Sequence, residues 1–272
     1  MIASQNRIDQ LFLDRTKKRF IPFITVGDPT LEISERIVEA LVEAGADLIE
    51  LGIPYSDPLA DGPVIQRASG RALAAQVTLP KVLAFIKNLR NKGITTPFVL
   101  FSYYNPILQY GVERLFADLA EAGADGAVIP DLPYEENEEA LAAAKRYGAH
   151  LISLVAPTSE TRVAKISSKA SGFIYCVSSL GVTGVRSEFH NNVLPFINQV
   201  RSHSEVPVAV GFGISTPEQV REFAGYADGV IVGSAIVQQV EANLPLLLDK
   251  ATREEGLGKI KTFVQNLAGA LK

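Results

Sequence analysis

Two carboxylates occupy positions from which they could do chemistry. Glu50 lies inside the apolar run DLIELGI, which begins at Asp47. A carboxyl group in such a run is drawn out of water, and burial raises its pKa above the usual ~4.3, towards the range useful for acid–base work. Asp61 lies in the loop YSDPLADGP, which begins at Tyr55. Read singly, each has an ordinary alternative. Glu50 could point outward between strand and helix, or be held by a buried Arg or Lys. Asp61 could serve turn chemistry, as Asp57 does just before Pro58. Read together, one ends a strand-like run and the other closes the loop after it, so both could approach one small substrate from two sides.

A second kind of chemistry is suggested by three glycine turns: SSLGVTG from Ser178, GFGIS from Gly211 and VGSAI from Val232. Each places backbone N–H groups where they can point at a ligand. Gly233-Ser234, opening the segment SAIVQQVE, adds a hydroxyl to an amide pair. Tight turns alone would also use glycine, but recurrence after successive late runs favours a phosphate site built from amides at a helix start. No Walker sequence is present. The three histidines, His150, His190 and His203, are scattered, and the single Cys176 sits in the apolar run FIYCV. Neither a metal site nor a disulfide is expected, and Cys176 reads as a buried, inert thiol. None of the apolar runs contains a lysine, so a Schiff-base nucleophile has no obvious source. Non-covalent acid–base catalysis on a phosphorylated substrate is what remains.

The elements that must position these groups follow a repeating plan. Eight short apolar runs begin at Ile21, Asp47, Pro97, Gly126, His150, Gly172, Pro207 and Gly229. They are nearly continuous rather than alternating, as strands covered on both faces are. Helical spacing lies between them: Ile33, Ile37, Val38, Leu41 and Val42 form an apolar face opposite Glu32, Glu35, Arg36 and Glu39. Thr216-Pro217-Glu218 reads as an N-cap followed by proline at the first helical position. EAGADLIELGIP from Glu43 is echoed by EAGADGAVIPDLP from Glu121 and, more briefly, by YADGVIVGSA from Tyr226. Such repeated βα units favour a closed barrel over a doubly wound open sheet, and no GxGxxG follows the first run.

The expectation is therefore an α/β protein, a single-domain (β/α)8 TIM barrel over residues 1–272. An extra N-terminal helix, Ser4 to Lys17, would plug the barrel floor with Ile8, Leu11 and Phe12. Composition agrees: 47% hydrophobic and 21% charged residues suit a large core, and a net charge of −4 offers no field for nucleic acid or an anionic membrane. No signal-like N-terminus or membrane-length apolar run is present, so a cytoplasmic protein is expected.

DLIELGIPYSDPLADGPVIQRAS (Asp47 to Ser69) closely resembles the signature of the tryptophan synthase α subunit family. So do FIPFITVGDP (Phe20 to Pro29), GADGAVIPDLPYEE (Gly123 to Glu136), IYCVSSLGVTGVR (Ile174 to Arg186), PVAVGFGIS (Pro207 to Ser215) and GVIVGSAIV (Gly229 to Val237). The match runs in order and nearly end to end. It implies a lyase of tryptophan biosynthesis that cleaves indole-3-glycerol phosphate to indole and glyceraldehyde 3-phosphate. It further implies docking on a β subunit in an α2β2 heterotetramer, with pyridoxal phosphate in that partner and no cofactor in this chain.

Carried over by position, the resemblance makes Glu50 the acid–base residue and Asp61 the catalytic aspartate. It places Tyr175 near Glu50, and it makes Phe23, Leu100 and Phe212 the apolar residues that sandwich the indole. Gly184, Gly213, Gly233 and Ser234 become the phosphate cradle. Thr183 falls on a lid, Leu180 to Asn191, expected to be mobile without ligand. The loop from Pro54 to Asp61 and the segment Tyr104 to Pro106 would face the partner. A stand-alone lyase, a mainly regulatory phosphate-binding subunit and another phosphate-binding barrel such as an isomerase are the alternatives; retention of both Glu50 and Asp61 argues against the regulatory one.

Overall fold

The computed structural model describes residues 6–177, 193–211 and 213–271. Within these, a helix α1 (Arg7–Leu11) precedes eight strands, each followed by helical structure. β1 (Arg19–Thr25) leads to α2 (Leu31–Glu43), and β2 (Ile49–Gly52) to α3 (Pro63–Ala74) and α4 (Leu79–Asn91). β3 (Phe98–Phe101) leads to α5 (Tyr104–Tyr110) and α6 (Val112–Ala122), and β4 (Gly126–Val128) to α7 (Glu138–Arg146). β5 (His150–Val155) leads to α8 (Glu160–Ser167), β6 (Ile174–Val177) to α9 (Val193–Ser202) and β7 (Val208–Gly211) to α10 (Pro217–Ala224). β8 (Gly229–Val232) is followed by α11 (Ser234–Ala242), α12 (Leu244–Leu248) and α13 (Arg253–Gly269). The strands are all parallel and run in sequence order; β8 returns to pair with β1 and closes the barrel.

Side chains alternate across each strand, so the barrel has two apolar layers. Ile21, Leu48, Val99, Val128, Ile152, Phe173, Ala209 and Ile231 fill the interior. Phe20, Ile24, Ile49, Leu51, Phe98, Leu100, Val208 and Val230 belong to the layer packed against the helices. Strands buried on both faces need apolar residues at every position, which is why the runs do not alternate in sequence.

The N-terminal plug is shorter than the sequence suggested. Ile8 and Phe12 do join the interior cluster, and Phe12 meets Phe173 with ring centroids 5.9 Å apart. The described helix begins after Asn6, whose side chain accepts from the Ile8 N–H at 2.9 Å. It stops by Phe12, and beyond it Asp14 captures the Thr16 N–H at 3.1 Å in a local turn.

The sequence echo has a physical meaning at the barrel floor. Asp47 accepts the Phe20 N–H at 2.8 Å, Asp125 the Phe98 N–H at 2.9 Å, and Asp228 the Val208 N–H at 2.9 Å. In each case the carboxylate preceding one strand holds the start of the strand before it. Asp125 is also paired with Arg7 at 2.8 Å and Arg90 at 3.1 Å, tying the plug to the sheet.

Candidate active site

Period two decides where Glu50 points. Ile49 and Leu51 belong to the outer layer and Leu48 to the inner one, so Glu50 faces the interior, one step nearer the C-terminal mouth. It is 1% exposed, and its Oε1 has no hydrogen-bond partner among the described residues. Burial pushes its pKa up to about 8. The buried Arg or Lys that could have neutralised it is not there among the described residues.

Asp61 reaches the same mouth from the loop after β2. It is 5% exposed, whereas Asp57 is exposed and bonds within its own turn. The Asp61 N–H donates to the Pro58 carbonyl at 3.0 Å and the Gln66 amide donates to the Asp61 carbonyl at 2.8 Å. Burial raises its carboxyl to about 6, against the opposing effect of a hydrogen bond from the Tyr103 hydroxyl. That hydroxyl also accepts the Ala60 N–H at 2.9 Å. Tyr175, on β6, has its phenol pushed well up by burial, by the charge on Glu50 and by the charge on Asp61. Tyr175 packs against the inner cluster, as Phe101 does, so its ring faces the same interior as Glu50.

An apolar wall joins this end to the glycine turns. Phe23 is the Cα partner of Glu50 in the β1–β2 register. Its ring covers Gly52, where an added Cβ would come within 2.5 Å of Phe23 Cζ. Its Cβ lies 3.5 Å from the position a side chain on Gly233 would take. Phe101 meets Phe23 edge to face, with centroids 5.6 Å apart and planes at 79°. Tyr175 lies equally close over Gly211, where a Cβ would approach its ring and hydroxyl at 2.6 Å. With no side chain of their own, these glycines leave room for the two aromatic rings.

The structure corrects one residue. Leu100 is buried, but in the outer layer against the helices, because it is one step out of phase with Val99 and Phe101, which contact the inner cluster. It cannot sandwich a ligand in the barrel; Phe101 occupies the inward position. Tyr103 is a further residue that the sequence reading passed over. It continues the inward count 99, 101, 103 beyond the end of β3, and that parity was the available signal. Thr183, Gly184 and Phe212, with the rest of the proposed lid from Leu180 to Asn191, lie outside the described residues.

At the opposite end, Gly213 adopts φ +76°, a conformation open to glycine at little cost. Thr216 caps α10 with a reciprocal box to Gln219, whose side chain also accepts the Ser215 N–H at 2.8 Å. Gly233 is the N-cap of α11 and Ser234 its buried first residue. Amides at a helix start have no intrahelical acceptor, and the helix dipole favours an anion there. Among the described residues no cluster of three or more His, Cys, Asp or Glu is arranged to hold a metal. Cys176 is buried, and burial pushes its thiol up, away from reactivity.

Comparisons with known proteins point one way. The family model described as tryptophan synthase alpha chain matches residues 10–272. A tryptophan synthase alpha chain of Geobacillus kaustophilus is 53% identical over 253 residues, 93% of this chain and 94% of the relative. That of Halalkalibacterium halodurans is 53% identical over 251 residues, 92% and 95% of the two chains. Among solved structures, tryptophan synthase subunit alpha from Legionella pneumophila superposes with a TM-score of 0.88 at 36% identity, covering 98% of this chain and 99% of that one. A chain of Mycobacterium tuberculosis tryptophan synthase gives 0.86 at 34% identity, covering 98% and 99%.

Proposed function

The chain belongs to the tryptophan synthase alpha chain family and is a lyase that cleaves indole-3-glycerol phosphate in tryptophan biosynthesis; on that premise we propose that Glu50 and Asp61 perform the cleavage. The observation that carries the assignment is the burial of both carboxyls, 1% and 5% exposed, at one mouth, which separates their protonation states. At neutral pH Glu50, with its pKa at about 8, holds a proton, while Asp61, at about 6, is largely ionised. Two acids pushed apart in this way divide the roles of proton donor and anion.

The reaction is a retro-aldol cleavage. Glu50 gives its proton to indole C3, leaving an electron-poor ring with positive charge at nitrogen. The Glu50 carboxylate then takes the proton of the adjacent side-chain hydroxyl. As that oxygen becomes the aldehyde carbonyl, the C–C bond breaks and its electrons restore the indole. The proton given and the proton taken balance. Asp61 accepts a hydrogen bond from the indole N–H and stabilises the charge developing there. The phenol of Tyr175 stays protonated beside both acids. Phe23 and Phe101 offer faces and edges to the indole ring, and Gly213, Gly233 and Ser234 take the phosphate, with Thr183, Gly184 and Phe212 assigned to the same site by the family pattern.

The family works with a β subunit. We read the α2β2 heterotetramer and a pyridoxal phosphate site confined to the partner as the finer form of that association. Contacts in and beside the proposed partner-facing segments support it: Tyr55 packs on Tyr103 with centroids 5.3 Å apart, Asn105 donates to the Tyr55 hydroxyl at 3.1 Å, and Leu59 and Leu108 nearby are 78% and 57% exposed. No helix among the described residues is long and apolar enough to cross a membrane; we place the chain in the cytoplasm and read it as one domain. The test is indole release from indole-3-glycerol phosphate by the purified chain, with and without a β subunit. Slow release strongly stimulated by the partner is expected. Fast release unaffected by the partner would favour a stand-alone lyase, and no release under either condition would overturn the assignment.

A further inference from the structure

We infer that Arg71, gripped between Asp28 and Glu241, is a positioning residue that sets the span between the Asp61 end and the Gly233–Ser234 end of the site. The inference rests on the function proposed above, since only a substrate engaging both ends would register that span.

The geometry begins with the two helices that carry the ends. α3 starts at Pro63, two residues after Asp61, and α11 starts at Ser234. They pack side by side against Phe23, through Ile65 and Ala68 of α3 and Val237 of α11. One turn further along each helix, the contact becomes ionic. Arg71 donates from Nε and Nη2 to the two oxygens of the buried Asp28 at 2.7 and 2.9 Å, and from Nη1 to Glu241 at 2.8 Å. Arg67 closes a second fork on Glu241, with both distances 2.7 Å. Three βα units are thereby tied at one point: the turn after β1, α3 after β2, and α11 after β8.

Apolar contacts alone would let the helices slide; a planar guanidinium holding two carboxylates permits one arrangement. The leverage is large. Arg71 is eight residues along α3 from Pro63, about 12 Å at ~1.5 Å per residue. A rotation of about 5° at the clamp therefore moves the Asp61 end by about 1 Å, and a misplacement of that size in a reacting pair can cost about 10²-fold in rate. Neither Arg71 nor Asp28 touches the cavity in this scheme; the clamp acts through Asp61 and Ser234.

The test compares a linked ligand with its pieces. The linked probe is indole joined to phosphate by a saturated three-carbon chain, which cannot be cleaved; the pieces are indole and inorganic phosphate. In Arg71→Met, calorimetric titration is expected to show the linked probe weakened by about tenfold, with each piece within about twofold of the parent, because only the linked probe requires the two ends in register. Turnover should fall by up to about 10²-fold. Arg71→Lys keeps the charge but loses the double fork and should remain impaired. Should Arg71→Met fail to fold, Glu241→Gln leaves the Asp28–Arg71 pair in place and should weaken the linked probe by about threefold. Parent-like binding and turnover in folded variants would overturn the proposal, as would equal weakening of pieces and linked probe. A parent protein that neither binds the linked probe nor cleaves substrate would instead overturn the site assignment beneath it.

Discussion

Replacing Glu50 by Gln should make the protein more stable as it becomes inactive, and increasingly so as pH rises. The side chain is 1% exposed with no compensating cation among the described residues, and its pKa stands at about 8 against an ordinary 4.5. In the unfolded chain Glu50 ionises above pH 4.5; in the folded chain it holds its proton until about 8. Its contribution is therefore intact below pH 4.5 and is lost progressively as pH climbs to about 8, after which the loss is complete. At ~1.36 kcal/mol per pKa unit, the loss is about 1 kcal/mol at pH 5, about 3 kcal/mol at pH 7 and about 5 kcal/mol by pH 9. Glutamine has the same shape and no such dependence. Denaturant unfolding of parent and variant at pH 5, 7 and 9 should show the variant gaining about 4 kcal/mol on the parent across that range. Indole release should fall by about 10²–10⁴-fold or more, the usual worth of a positioned acid or base. A stability difference that stays constant from pH 5 to 9 would mean that Glu50 titrates as an ordinary carboxylate and is not the neutral donor at pH 7. Retained cleavage would remove it from the mechanism altogether.

Other outcomes follow from single contacts. Tyr103→Phe deletes the hydrogen bond that holds the Asp61 carboxyl down, so its pKa should rise above about 6; the acid limb of the kcat/KM profile should then move to higher pH, and an unmoved limb would separate Tyr103 from Asp61. Gly211→Ala puts a methyl within 2.6 Å of the Tyr175 ring, and the displaced ring should raise KM and lower kcat for indole-3-glycerol phosphate; unchanged kinetics would show that the ring can move without consequence. Asp125→Ala orphans the Phe98 N–H and leaves Arg7 and Arg90 without their carboxylate. Removing one partner of a buried pair costs about 3–5 kcal/mol, so denaturant unfolding should show a loss of that order while the folded fraction cleaves at the parent rate.

Much of this protein was written locally. Eight continuous apolar runs predicted eight strands covered on both faces, and each run overlaps an observed strand because that demand acts residue by residue. Glu50 announced itself as a charge in the middle of such a run. The Ala-Asp echo was visible as a repeat, although its use, a carboxylate stitching the preceding strand at Asp47, Asp125 and Asp228, required the barrel to be closed. Phe101 could have been separated from Leu100 by counting in twos from Val99. That count needs one inward residue known beforehand, and only the packing supplied it.

What the chain order left open was decided by neighbours distant in sequence. Whether Glu50 is charged depends on the lack of a compensating cation among the described residues, in a space walled by several strands. Asp61 takes its protonation from burial and from Tyr103, and Arg71 finds Glu241 170 positions away. Desolvation and ion pairing sum over everything within a few ångströms, and that set of neighbours is a property of the closed barrel, not of any segment of it.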